Sequence, residues 1–270
     1  MSEQANTHHE NYDSYAPIAR YYDLEYQSVT LDIEFYQEMA RRVGANPRLL
    51  ELACGSGRLL LPLARAGFRI TGLDYSAEML KLARQRLAQE SQAVQGRIQL
   101  HQGDMRDFDL APNAQFDLIF VALNSFQHLL TQPDQLACLQ NVRRHLAPAG
   151  LFIVDIYNPE EKENYPADGR LEYNGSFTNP DSGGSVQVFL STTAEPALQI
   201  RHYTYFYDET ASDGTLRRSV AQLDLRYIYR FEMELLLAAS GFAIEEFYGS
   251  HDFDEYGQGS NKLIYVCRRA

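Results

Sequence analysis

Ten residues, Leu49-Leu50-Glu51-Leu52-Ala53-Cys54-Gly55-Ser56-Gly57-Arg58, constrain this chain more than any others. An apolar run ends in an acid, a small-residue turn and two glycines, and a helical apolar pattern follows from Leu59 to Ala66. The order reads strand, tight turn, helix, with the turn stripped of side chains so that a ligand can lie against backbone N–H groups. A second apolar strand, Phe68 to Leu73, ends in Asp74, seventeen residues after Gly57. In doubly wound α/β folds an acid at that place grips a ribose diol. The first expectation is therefore a nucleoside-containing cofactor.

A missing glycine narrows the choice. The dinucleotide fingerprint places a third glycine where this chain has Leu60. Glu51 stands four residues before Gly55, and a carboxylate at the mouth of the turn repels a pyrophosphate. The same carboxylate can accept hydrogen bonds from an ammonium group. S-adenosylmethionine carries an ammonium and a sulfonium and no phosphate, so it is the expected cofactor, and a nicotinamide oxidoreductase is disfavoured.

Composition bounds the rest. A chain of 270 residues is long enough for one large domain with a small accessory unit. A net charge of −12 argues against wide contact with nucleic-acid phosphates. The three cysteines form neither a disulfide framework nor a metal-ligand pair, and Cys54 reads as a small side chain that fits the turn. The apolar runs are too short to span a bilayer, and Met1 to Asn11 is polar without a signal-peptide core. A cytoplasmic protein without a metal is expected.

Along the chain, residues 1–14 read as disordered and Tyr15 to Tyr26 is rich in tyrosine. Asp32 to Val43 has helical spacing, with Ile33, Tyr36 and Ala40 on one face and Gly44 beyond its end. Ser76 caps a predicted helix reaching about Glu90, on which Met79, Leu80, Ala83 and Leu87 share a face. Strands are predicted at Ile98 to His101, Phe116 to Ala122 and Gly150 to Tyr157, and Pro133 opens the helix between the last two. This alternation predicts a parallel, doubly wound Rossmann-like sheet. Residues 158–229 then change texture. Turn signals separate three tyrosine-rich alternating runs, Val186 to Leu190, Leu198 to Tyr207 and Leu216 to Tyr229, which predict antiparallel strands. A helix at Phe231 to Ser240 and strands at Phe242 to Tyr248 and Leu263 to Cys267 return to the first texture. Residues 15–157 and 230–270 thus form the cofactor-binding domain, and 158–229 is an antiparallel β insertion before the last helix, a substrate lid or a dimer surface.

The motif order resembles the class I S-adenosylmethionine-dependent methyltransferases. The resemblance is carried by Glu51-Leu-Ala-Cys-Gly55-Ser-Gly57, Gly72-Leu-Asp74-Tyr-Ser76-Ala-Glu-Met79-Leu80, Gly103-Asp104-Met105-Arg106 and Phe116-Asp117-Leu118-Ile119-Phe120. Within that superfamily the chain is most similar to small-molecule N-methyltransferases, notably the amino-sugar N,N-dimethyltransferases. The resemblance implies that Glu51 and the backbone around Ala53, Gly55 and Gly57 hold the methionine part of the cofactor. It implies ribose contacts from Asp74, adenine contacts from Tyr75, Met79, Asp104 and Met105, and a place near the sulfonium for Ala122 and Leu123. An N-terminal tyrosine, Tyr22 or Tyr26, is expected to close over the carboxylate end.

An amine acceptor must arrive neutral, and His128, just past the fourth strand, is the candidate base. If it is the base, the rate falls as its imidazole protonates near the usual value of about 6.5. Asn124 is expected to touch cofactor or substrate, and Tyr203 and Tyr205 of the insertion to form part of an amphipathic wall for the acceptor. The expected activity is methyl transfer to a small molecule, on nitrogen before oxygen. The alternative from another class is a non-catalytic cofactor-binding or assembly protein that uses the insertion to hold a partner. A homodimer through the insertion is also open.

Overall fold

The computed structural model describes residues 13–26, 30–110, 115–162 and 167–270. Two helices, α1 (Ala19–Tyr26) and α2 (Leu31–Arg42), precede β1 (Arg48–Leu52), the glycine turn and α3 (Leu60–Arg65). Next come β2 (Arg69–Asp74), α4 (Ala77–Leu87), the short α5 (Gln92–Gln95), β3 (Ile98–Gln102) and β4 (Phe116–Val121). A 3-10 turn (Ser125–His128) leads to α6 (Gln132–His145), β5 (Leu146–Tyr157) and the short α7 (Pro159–Lys162). Four strands follow: β6 (Asp168–Thr178), β7 (Ser185–Glu195), β8 (Ile200–Thr210) and β9 (Leu216–Arg226). α8 (Arg230–Ala239), β10 (Phe242–Tyr248) and β11 (Lys262–Arg269) close the fold.

Caps fix the helix starts. Ser76 Oγ accepts from the Met79 N–H at 3.1 Å at the head of α4, and Thr131 Oγ1 accepts from the Asp134 N–H at 3.2 Å at the head of α6. The helix expected to reach Glu90 ends at Leu87, because Ser91 supplies a new cap and starts α5.

The main sheet has seven strands in the order β10-β11-β5-β4-β1-β2-β3, with β1 to β5 parallel and β11 antiparallel to β5. Its central strands are buried on both faces, and their side chains alternate between two cores. Leu50, Ile119, Val121, Phe152 and Val154 enter one core with α6 and α8. Leu49, Leu118, Phe120, Leu151 and Ile153 enter the other with α2 and α3. The chain crosses sides beside β1, which places the crevice at the C-terminal ends of β1 and β4. Among the described residues, no helix is long and apolar enough to cross a membrane, and no cluster of acids, histidines and cysteines could hold a metal.

The region 168–226 folds into a separate antiparallel sheet, β6-β7-β8-β9. It has four strands where the alternation predicts three. Strand β6 escapes the pattern because it is an edge strand exposed on both faces, and Gly175 sits at a bulge within it. Helix α1 straps this sheet to the main domain. On the sheet side, Tyr21 stacks on Tyr207 with ring centroids 4.9 Å apart, and its hydroxyl donates to Glu209 at 2.9 Å. On the main-domain side, Asp23 accepts from Ser56 of the glycine turn and, at 3.0 Å, from Arg86. Residues 1–12 of the segment expected to be disordered lie outside the described residues. Asp13 corrects that boundary: its carboxylate accepts from Ser76 Oγ at 2.6 Å and from the Tyr15 N–H at 3.1 Å.

Candidate active site

Backbone strain gathers where β1 and β4 end. Ala53 (φ +56°), Leu123 (φ +48°) and Asn124 (φ +65°) all lie in the left-handed region that non-glycine residues avoid. Gly55 and Gly57 take the same region at φ +56° and +81°, where glycine carries no penalty. The two strained turns face each other across a small cavity of about 20 Å³ lined by Tyr22, Glu51, Ala53, Cys54, Arg58, Ala122, Leu123 and Ser125. That volume holds about one water, so a larger ligand requires the α1 strap to move.

The glycine turn is tied to β2 by Asp74, whose carboxylate accepts from the Gly55 N–H at 2.7 Å and the Ser76 N–H at 2.8 Å. Each oxygen keeps a lone pair, and burial pushes the carboxyl up to about 6. The close approach that a third glycine gives elsewhere is supplied from the neighbouring strand. A Cβ on Gly72 would lie 2.7 Å from both Leu60 Cδ1 and Cys54 Sγ. Met79 Cε closes on the turn, 3.3 Å from where a Gly55 Cβ would be.

Glu51 is buried, and its Oε2 has no hydrogen-bond partner. Burial drives its carboxyl well above the usual range, and the nearby Arg58 guanidinium only partly opposes this. Arg58 is itself paired with the buried Asp32 of α2, with Nη1 donating at 2.8 Å. An unpartnered acceptor facing this cavity asks for a cationic donor.

The tyrosines form a chain across the mouth. Tyr26 stacks on Tyr22 at 4.6 Å, Tyr22 meets Tyr15 edge-on at 5.9 Å, and the Tyr15 hydroxyl lies 3.1 Å from His128 Nε2. Burial pushes the His128 imidazole down to about 4. It is neutral at pH 7, so the pH response expected near 6.5 is corrected: burial removes it. On β8, Tyr203, Tyr205 and Tyr207 share one face by their spacing of two. Tyr157 at the end of β5 faces Tyr203, and beside it Gln127 donates to the Arg226 carbonyl at 3.2 Å. The Tyr157 hydroxyl is buried in hydrogen-bonding contact with the Tyr203 and Gln127 side chains, and Gln127 Oε1 is buried without a partner.

Other expected residues sit apart from the cavity. Tyr75 is exposed at its lip, and Met105 is half-buried against the α6 side. Asp104 is held by Arg106, which donates from its backbone N–H at 2.8 Å and from Nη2 at 2.6 Å. Asn124 is turned toward Lys262, whose Nζ donates to its Oδ1 at 3.1 Å. Lys262 also pairs with the buried Asp155 at 2.9 Å, and His251 Nε2 lies 3.0 Å from the same carboxylate. Burial raises the Asp155 carboxyl, but Lys262 and His251 more than offset this and hold it well below the usual range. The sequence reading missed Tyr15, the Asp32–Arg58 pair and this buried cluster. An acid inside the apolar run Leu151 to Ile156 was the visible signal for the cluster.

Residues 49–150 match the family model of a methyltransferase domain. The middle of the chain is thus similar to a methyltransferase domain. The chain is 34% identical over 168 residues to the dTDP-3-amino-3,6-dideoxy-alpha-D-glucopyranose N,N-dimethyltransferase of Streptomyces fradiae, which spans 59% of this chain and 61% of that one. It is 34% identical over 111 residues to the putative methyltransferase YqeM of Bacillus subtilis, covering 41% of this chain and 42% of that protein. Each of these two matches thus spans less than two thirds of the relative's length. Its fold is similar to that of the CcbJ methyltransferase from Streptomyces caelestis, with a TM-score of 0.78, 22% identity and coverage of 96% and 100%. The residues at the two strained turns fit S-adenosylmethionine. The orphaned Glu51 oxygen suits an ammonium, and the cradle at Gly55 and Gly57 presents backbone to a ligand.

Proposed function

We propose that this chain is an S-adenosylmethionine-dependent methyltransferase that methylates the nitrogen of a small hydroxylated amine, of the kind met in amino sugars. The observation that carries the reading is Gln127 Oε1, buried without a partner beside the Tyr157 and Tyr203 hydroxyls, on the 3-10 turn that ends in His128. The amide oxygen and the tyrosine hydroxyls beside it offer neutral hydrogen-bonding groups to a hydroxylated ligand, with no carboxylate of their own. The identity to an amino-sugar N,N-dimethyltransferase supports the same class.

In this reading Glu51 holds the ammonium of S-adenosylmethionine, Asp74 the ribose hydroxyls, and Met79 and Tyr75 flank the adenine. Asp104 reaches the adenine amino group only after yielding its bond to Arg106. Ala122 and Leu123 line the methionine end, and Tyr22 and Tyr26 close over it. The cofactor supplies a methyl group on a sulfonium, an electrophile that needs position and dryness more than acid–base help. His128, neutral and hydrogen-bonded to Tyr15, receives the acceptor's N–H only by exchanging its bond to Tyr15, and does not need to hold a proton. Tyr203 and Tyr205 face the acceptor from the insertion, which serves as the lid.

The test is methyl transfer from labelled cofactor to a panel of amino-deoxy hexoses, free and nucleotide-linked, beside their hydroxy analogues. Mass spectrometry should find N-methyl product. Label on oxygen, or transfer to none of the amines, overturns the reading.

A further inference from the structure

A second cleft lies away from the proposed methyl-transfer site. It has a volume of about 490 Å³, within the range of small-molecule sites, and runs between α6 and α8. Arg106, Asn141, Arg143, Arg144, Ser240 and Arg269 line it. Three polar atoms there are buried without partners: Asn141 Nδ2, Arg143 Nε and Ser240 Oγ. Asn141 is 2% exposed and Ser240 6%. An amide N–H₂, a guanidinium N–H and a hydroxyl are all able to donate, and buried donors left unpaired are rare.

The charges agree. Arg106 is neutralised by Asp104 and Asp134, at 2.6 and 3.1 Å. Among the described residues no carboxylate pairs with Arg143, Arg144 or Arg269. Arg144 instead donates to Asn141 Oδ1, and Arg269 donates to the Leu146 carbonyl at 3.2 Å. The bond from Arg144 leaves the Asn141 amide with its N–H₂ directed elsewhere. Basic residues in the last turn of α6 have an ordinary role in offsetting the helix dipole. That role explains Arg143 and Arg144, but not the orphaned donors of Asn141 and Ser240 or the convergence of Arg269 from β11. Gly241 admits Arg143 to the cleft floor: it sits at φ +76°, and a Cβ there would lie 2.8 Å from Arg143 Nε.

We propose that this cleft binds a phosphorylated small molecule. Its phosphate oxygens take the forked donors of Arg143, Arg144 and Arg269 and complete the bonds of Asn141 and Ser240. The site is separate from the methyl-transfer cleft, and none of its lining residues faces the Glu51 cavity. On a chain of net charge −12, three arginines without carboxylate partners are a local reversal of field suited to an anion.

The experiment is calorimetric titration of the full chain with pyrophosphate and, separately, orthophosphate at physiological salt, followed by the variants Arg143→Gln and Ser240→Ala. The wild type should bind pyrophosphate saturably at one site, and each variant should weaken binding by about tenfold or more. Unchanged melting of the ligand-free variants shows that the loss is local. Ser240→Ala removes one oxygen and keeps the test decisive should Arg143→Gln not fold. Binding of pyrophosphate over orthophosphate supports a ligand with more than one phosphate, and the reverse order supports a single one. No saturable binding of either ion by the wild type, or variants that bind as tightly as it does, overturns the proposal.

Discussion

Replacing Glu51 by leucine separates what this residue does for the cofactor from what it does to the fold. Its Oε2 is buried without a partner, and burial holds the carboxyl well above its usual range. An unpaired buried polar group costs about 1–3 kcal/mol, and apolar replacement of buried ionic groups often stabilises by a similar amount. Arg58 loses little, since Asp32 keeps it paired. The free protein should therefore gain about 1–3 kcal/mol, and each kcal/mol raises the melting midpoint of a chain this size by about 2–4 °C. Binding moves the other way. Removing one member of a buried charge pair costs about 2–5 kcal/mol, a rise in Kd of roughly 30-fold to several thousand-fold. Thermal melts of the free protein and calorimetry with S-adenosylhomocysteine read the two effects separately. Glu51→Gln should fall between wild type and Glu51→Leu on both. A leucine variant that binds within about threefold of wild type refutes the ammonium contact. One that melts well below wild type shows instead that Glu51 supports the fold.

Asp74 gives a pH signature. Burial raises its folded-state carboxyl to about 6, above the usual value of about 3.9. Its contribution to folding is full below about pH 4 and fades by about 3 kcal/mol as pH rises through about 6. Cofactor affinity should run oppositely, falling below about pH 6 as the ribose acceptor protonates, and Asp74→Asn should flatten that curve in calorimetry across pH; an unaltered slope in the variant assigns the effect elsewhere. His128 has its imidazole pushed down to about 4, so the pH–rate profile of His128→Ala should keep the wild-type shape while turnover drops by up to about 100-fold. A limb near pH 6.5 that vanishes in that variant would restore a general-base role. Lys262→Met leaves the Asp155 carboxylate with only His251 and the Leu123 N–H and should cost about 3–5 kcal/mol in urea unfolding; a loss under about 1 kcal/mol would mean that the pair is effectively solvated.

Much of the core fold was legible because a strand buried on both faces leaves an unbroken apolar run. Leu49 to Leu52 and Leu151 to Val154 announce themselves in this way. The glycine turn and Asp74 were legible because their chemistry is local. What escaped depends on tertiary approach. Strand β6 has no buried face, so nothing selected an alternating pattern. Tyr15 is one tyrosine among several in its segment, and only the fold brings it to His128, 113 residues away. Position alone could not show that Asp104 is engaged by Arg106 or that Asn124 is held by Lys262. The depressed His128 pKa arises from burial, which one histidine in a loop does not advertise.

The four-stranded sheet shares no hydrogen-bonded strand with the main sheet, and the chain enters it after β5 and leaves it before α8. The residues assigned to the cofactor come from the main sheet and its turns, from α1 and from the head of α4. Hairpins in the second sheet can therefore drift, lengthen or be exchanged without disturbing the register of β1 and β4. On the proposed reading, a change of acceptor falls on β6 to β9 and leaves the cofactor residues in place, with α1, whose Tyr21 packs on that sheet, as the element tied to both.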